Sequence, residues 1–298
     1  MNVKLFTHKD DLDGISCAIL GKMAYQYIDI EYCTYDDVNE KIQFFIESKN
    51  TEYDKIYITD LNVNENTAEM IDKNISDKVC LLDHHKSHIH LNQYEWANVI
   101  VESNGIKQCG ASLFYKHLLE TDNDLKQYNS LDKFVELIRL YDTYDWVETN
   151  NLKAKGLSDI LRFVPRSEFI STYFIRLTND KSYFEFDKSH ETALYYFSLY
   201  EEKYIKKKLD ETLISQDVFG NTVGYVFCDE DYRSIVGNKI CENFNVDYAC
   251  IINRYRCSLR SIGDFDVSKI AMEYGGGGHK NAASFKCDNL YKFLSVPD

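Results

Sequence analysis

Short apolar runs that end at once in acidic or histidine residues recur along the first third of the chain. Residues 3–7 lead into His8-Lys9-Asp10-Asp11-Leu12-Asp13-Gly14, residues 56–59 into Asp60-Leu61-Asn62, and residues 79–82 into Asp83-His84-His85. Runs this short and rich in β-branched residues, separated by helical patterns, predict an α/β fold with a parallel sheet wrapped by helices. In such open sheets ligands bind beyond the carboxyl ends of the strands, so three separate segments are expected to deliver their polar groups to one crevice.

Helical periodicity continues at residues 110–121 and 130–144. The second stretch carries Leu131, Phe134, Val135, Leu137, Ile138 and Tyr141 into another acidic cluster containing Asp142 and Asp145. Residues 150–215 are rich in aromatic and charged side chains, with a long helix predicted over 190–213. Its basic run Lys206-Lys207-Lys208 reads as the solvated face of a connector. The rhythm then changes. A turn at Phe219-Gly220-Asn221-Thr222, a helix over 234–244, a strand pair within 248–262, a helix over 267–274 and a strand over 282–285 predict a second, smaller α/β domain.

Composition narrows the class. The 298 residues are 44% hydrophobic and 28% charged, which suits a soluble globular chain with enough length for two domains. Nine scattered cysteines contain no C-x-x-C pair, an argument for a reduced, cytoplasmic setting and against structural zinc. The N-terminus lacks a signal-peptide core, and the apolar run at 15–20 is too short to span a bilayer, so no membrane partner is expected. A net charge of -14 argues against binding long duplex nucleic acid, which requires phosphate neutralisation by Lys and Arg. Small anionic ligands stay open, because bound cations invert the local field of an acidic site.

Each polar cluster has a plain structural reading when taken alone. Asp11 and Asp13 fit an Asx turn capping the next helix, Asp83-His84-His85 a polar loop, and Asp142 a surface ion pair at a helix end. Together they supply the carboxylate and imidazole ligands that divalent ions such as Mn²⁺ prefer. The glycine run Gly275-Gly276-Gly277-Gly278-His279 reads either as a flexible turn or as a nest of backbone amides around an anion, with His279 as an added donor. Arg260 is placed to clamp a phosphate, and Tyr255 or Phe265 to stack on a base.

His8-x-x-Asp11-x-Asp13-Gly14, Asp60, Asp83-His84-His85, Asp142 and the late Gly-Gly-Gly-Gly-His-Lys-Asn-Ala-Ala segment resemble, in order, the motifs of the DHH phosphoesterase family and its associated C-terminal domain. The segment Ser258-Leu259-Arg260-Ser261 is similar to that family's pattern as well. The resemblance implies a catalytic domain over 1–185, a helical linker over 186–215 and a substrate-binding domain over 216–298, with the active site in a cleft between the domains. It implies two Mn²⁺ ions, with Mg²⁺ or Co²⁺ as substitutes. His8 and Asp11 would ligate the first ion, Asp13, His84 and Asp142 the second, and Asp60 both. His85 would face the scissile phosphate as donor or general acid, and a hydroxide shared by the metals would attack in line. Arg260, Gly276, Gly277, Gly278 and His279 would bind substrate.

Two departures from the family pattern leave choices open. The spacing after His8 makes Asp10 an alternative to Asp11, the latter preferred because Asp-x-Asp-Gly keeps a glycine for a tight turn. The segment Tyr141-Asp142-Thr143-Tyr144-Asp145-Trp146 registers Asp142 as the ligand and Asp145 as support or helix cap. The implied reaction is hydrolysis of phosphodiester bonds in short RNA or DNA oligonucleotides, linear dinucleotides or cyclic nucleotides. The alternatives are a phosphomonoesterase on 3′-phosphoadenosine-5′-phosphate, a non-catalytic nucleotide sensor and an editing module. Monomer and homodimer both remain open.

Overall fold

Strand β1 (Val3–His8) is buried along its whole length, because it lies inside a parallel sheet of order β2-β1-β3-β4-β5. The structure, a computed structural model, describes all residues except 10, 49–51, 122–123, 255 and 287–298, and the side chain of residue 230. The candidate ligand Asp10 and the candidate stacking residue Tyr255 therefore lie outside the described residues. After β1 come α1 (Leu12–Ala24), β2 (Ile28–Cys33), α2 (Val38–Glu47), β3 (Lys55–Thr59), α3 (Glu65–Asn74), β4 (Val79–Asp83) and β5 (Ala97–Val99). A small hairpin, β6 (Glu102–Ser103) and β7 (Ile106–Lys107), leads into α4 (Gly110–Thr121), α5 (Ser130–Asp142), α6 (Asp145–Glu148), α7 (Leu152–Phe163) and α8 (Arg166–Asn179).

Alternation of side chains along each strand builds two cores on this one sheet. Leu5, Tyr57 and Leu82 face α1, α4, α5, α7 and α8, where Ile15, Ile19, Phe114, Phe134, Leu157 and Tyr173 are buried. Phe6, Ile56, Ile58 and Leu81 face the other way, against Val38, Ile42, Ala68 and Ile71 of α2 and α3. Strand β2 escaped the sequence pattern because it is an edge strand whose acidic Asp29 and Glu31 hold the nearly buried Lys4, at 2.8 and 3.3 Å.

The chain divides into two compact units, Met1–Leu194 and Tyr195–Asp298. The expected long helix over 190–213 is α9 (Lys188–Asp210), and the unit boundary falls inside it. It ends early because Leu213 is already paired with Tyr225 as the first residue of β8 (Leu213–Gln216). Then follow β9 (Thr222–Phe227), α10 (Arg233–Asn243), β10 (Tyr248–Ile252), β11 (Arg256–Arg260), α11 (Val267–Glu273), β12 (Gly277–His279) and β13 (Ala282–Lys286). The second sheet runs β12-β13-β11-β10-β9-β8, with only β9 and β10 parallel, joined by the crossover helix α10. One face packs on α11 through Val267 and Ala271. The other packs on α10 through Val236 and Ile240, and on the end of α9 through Tyr204, Ile205 and Leu209. Among the described residues no helix is long and apolar enough to cross a membrane.

Candidate metal centre

The carboxyl ends of β1, β2, β3 and β4 open on one edge of the first sheet, and the order of strands reverses between β1 and β3. His8 is the last residue of β1, Asp60 follows β3, and Asp83 ends β4 just before His84 and His85. This is the crevice that strand order dictates for an open α/β sheet.

Asp11 serves two structural ends at once. Its Oδ1 accepts the backbone N–H of Gly14 at 2.9 Å as the N-cap of α1, while Oδ2 hydrogen-bonds His8 Nδ1. Gly14 itself lies within α1, so the tight turn expected of it is absent. The position needs room instead, since a Cβ there would sit 2.3 Å from the carbonyl oxygen of His8. Asp13, buried in the first turn of α1, reaches the N-terminus of α4 and accepts the amides of Gly110 at 2.6 Å and Ala111 at 2.7 Å. Helix N-termini carry unsatisfied donors and partial positive charge, so a buried carboxylate is stable there. Gly110 permits the approach, because a Cβ would lie 2.7 Å from Asp60 Cβ and 2.9 Å from Asp13 Oδ2.

Asp60 holds the centre of the cluster. It is 1% exposed and sits at φ 54°, a left-handed conformation that costs a residue with a side chain about 1–3 kcal/mol. Its two oxygens face different neighbours: Oδ2 lies 3.6 Å from His8 Nδ1, and Oδ1 lies 3.4 Å from His84 Nε2. The same His84 nitrogen is 3.4 Å from Asp142 Oδ2 and 3.8 Å from Asp13 Oδ2. Among the described residues three donor groups result, Asp60 with Asp83, His84 and His85, His8 with Asp11 and Asp60, and Asp13 with His84 and Asp142; Asp60 belongs to the first two and adjoins the third through His84.

Asp142 is the last residue of α5, which stops two residues earlier than the periodicity predicts. Tyr144 adopts a left-handed conformation at φ 65° and begins the separate helix α6. Asp145 points away from the cluster, bonding Arg139 at 3.0 Å and Lys107 at 2.7 Å. It supports the loop that carries Asp142.

A cation fits this arrangement. Among the described residues, Asp60 Oδ2, His84 Nε2 and Asp142 Oδ2 are buried without a hydrogen-bond partner, an expensive state unless something positive sits among them. Burial, with repulsion from Asp11 and Asp13, pushes Asp60 well above the usual carboxylate range. Burial and Asp13 do the same to Asp142, and burial also raises Asp13. Burial opposes the charge on His8, yet the Asp11 and Asp60 carboxylates carry its pKa up to about 10, so a proton stands where a cation would. Oxygen and imidazole donors in two groups sharing one carboxylate suit two hard or borderline divalent ions.

Sequence reasoning left Asp83 without a role and passed over His88. Asp83 is fully buried and accepts His85 Nδ1 at 2.8 Å and His88 Nδ1 at 2.5 Å. Although burial raises its pKa, the two imidazoles together hold it below the usual range. Its oxygens are therefore engaged, and its work is to fix the two rings. His88 carried no spacing signal of its own in the histidine-rich stretch.

In the second unit the glycine run, open to reading as a turn or as an anion nest, takes a more ordered form. The amides of Gly275 and Gly276 bond Met272 O at 3.0 Å and Ala271 O at 2.9 Å, closing the C-terminus of α11 with Gly275 at φ 73°. Gly277 and Gly278 continue as the edge strand β12. Arg260, Ala282 and His279 instead form one row across β11, β13 and β12. With strands spaced about 4.8 Å apart, Arg260 and His279 flank the small Ala282 on one face, about 10 Å from each other. Arg260 also bonds Ser234 of α10 at 2.9 Å. Phe265 stacks on buried Tyr248 at 5.4 Å and belongs to the core.

A family model described as "DHH family, N-terminal domain" matches residues 2–140, and one described as "DHHA1 domain" matches residues 220–296. The chain is 37% identical to Oligoribonuclease NrnB of Bacillus subtilis (strain 168), over 97% of this chain and 74% of that protein. It is 23% identical to a 3′,5′-cyclic-nucleotide phosphodiesterase of Helicobacter pylori (strain ATCC 700392 / 26695), over 97% of this chain and 94% of that one. Among solved structures, exonuclease RecJ bound to manganese superposes with a TM-score of 0.55 at 14% identity, over 97% of this chain and 86% of the other.

Proposed function

Because this chain belongs to the DHH family and is a metal-dependent phosphoesterase, we propose that it hydrolyses phosphodiester bonds of short single-stranded oligoribonucleotides with two Mn²⁺ ions. The observation that carries the reading is Asp60, whose two buried oxygens serve two separate donor groups. His8, Asp11 and Asp60 would hold one ion, and Asp13, Asp60, His84 and Asp142 the other. When bound, such a pair activates water and neutralises the charge that builds on the phosphate. The manganese-bound RecJ fold supports the choice of ion, and the oligoribonuclease relative supports the substrate.

The protein's own residues do the rest. The water oxygen loses a proton to solvent and bonds to phosphorus as the ester P–O bond breaks, and the departing oxygen needs a proton. His85 would donate it, since Asp83 holds its Nδ1 and its side chain is half-exposed. Arg260 and His279, in their shared row, would hold a further phosphate. Linear dinucleotides and 3′,5′-cyclic nucleotides contain the same bond and are the next candidates, the latter supported by the Helicobacter relative.

The test is product analysis in Mn²⁺ with pApA, a 5-mer RNA, cyclic dinucleotides, 3′,5′-cyclic AMP and 3′-phosphoadenosine-5′-phosphate. Release of mononucleotides from the 5-mer and pApA is expected to be fastest. Turnover of the phosphomonoester alone, or tight nucleotide binding with no turnover at all, would reject the proposal.

A further inference from the structure

The loop after β2 places an aromatic side chain over two histidines of the centre. Tyr35 is 43% exposed. Its ring lies 4.8 Å from that of His8 and meets His85 edge-on at 6.0 Å, and its Oη is 3.4 Å from His85 Nε2. The backbone under it is held by a reciprocal cap. Asp37 Oδ1 accepts the amide of Thr34 at 2.7 Å, Thr34 Oγ1 accepts the amide of Asp37 at 3.2 Å, and Lys41 pairs with Asp37 at 3.0 Å. The hydroxyl is thus presented by a fixed turn at the carboxyl edge of the sheet.

His85 Nδ1 is committed to Asp83, so only its Nε2 faces outward, beside the tyrosine hydroxyl. Nε2 and Oη stand 3.4 Å apart on the open side of the site. One phosphate oxygen at about 2.8 Å from each satisfies both.

We propose that Tyr35 is a phosphate-binding residue that works with His85, its hydroxyl donating to an oxygen of the scissile phosphate. This rests on the phosphoesterase reading above. A fixed donor at such a position strengthens as negative charge develops, and it also steadies the bound ground state.

The experiment compares wild type with Tyr35→Phe, which keeps the ring over His8 and removes only the hydroxyl. Mn²⁺ affinity by isothermal titration and the melting temperature without metal are expected to stay unchanged. Inorganic phosphate should bind the Mn²⁺-loaded variant about three- to tenfold more weakly, and kcat on pApA should fall about 10- to 100-fold. Unchanged phosphate affinity and kcat would overturn the proposal. So would a loss of Mn²⁺ affinity or of melting temperature, which would make Tyr35 a structural support. If the wild type cleaves no phosphodiester, the broader reading fails, and the phosphate titration still decides the role of Tyr35.

Discussion

Asp60→Asn keeps the volume of the side chain but offers one oxygen where two donor groups need one each. Turnover should fall more than about 100-fold and calorimetric titration should lose tight Mn²⁺ binding; near-normal rates would remove Asp60 from the shared position. His8 provides a pH signature. Its pKa in the ion-free fold is raised from 6.5 to about 10, so its protonation stabilises that fold fully below pH 6.5, and the contribution is lost as pH rises through about 10. Mn²⁺ must displace this proton, so apparent affinity should climb by up to about tenfold per pH unit between those values. Titrations in buffers of different ionisation enthalpy should report proton release, and a pH-independent affinity would contradict the assignment. The same residues explain what was readable beforehand. His8, Asp11, Asp60, His84 and Asp142 each stand where an apolar run stops, a signal visible in one dimension. Tyr35 was not, because one tyrosine among 23 has no periodicity to mark it and the strand before its loop, β2, was itself hidden by acidic edge residues.

Helix α4 is aimed at the centre by its first two amides, and Gly110 is the residue that lets them arrive. Gly110→Ala should press on Asp60 and Asp13, destabilise the protein by about 1–3 kcal/mol in urea titrations without metal, and weaken Mn²⁺ binding. Gly275→Ala makes a contrast at the other end of the chain. It forces a side chain into a left-handed C-cap and should cost about 1 kcal/mol, while Mn²⁺ affinity stays at the wild-type value. Equal effects on metal binding from the two variants would contradict this assignment of roles. Periodicity found α4 from end to end and the start of α5, but not the point where α5 stops. The stop of α5 at Asp142 depends on a left-handed Tyr144 and on Arg139 drawing Asp145 aside, neither of which has an apolar pattern. The glycine run stayed open between turn and nest for a related reason: hydrogen bonds back to α11 use amides of Gly275 and Gly276 that the sequence leaves looking free.

Two units share one helix, with Leu194 against Gly156 in the first and Tyr204, Ile205 and Leu209 against the second sheet. The α/β class and the order of motifs were legible because they follow from local pattern. The division at Leu194 and Tyr195 falls inside α9, each half of which is set by its own core. Since all the proposed ligands belong to Met1–Leu194, saturating Mn²⁺ should raise the melting of that unit alone by mass action, and scanning calorimetry should lose the shift in Asp60→Asn. A uniform shift of both units would show that they melt as one. Asp13 also has a consequence for descent. A lineage that abandoned catalysis would still be held to aspartate at this position, and at Asp11, because each caps a helix whether or not an ion is present. His84 and Asp142, whose inward atoms have no hydrogen-bond partner among the described residues, would drift first. In dead cousins of this chain, the surviving aspartates near the N-terminus testify to folding, and the loss of those two testifies to silence.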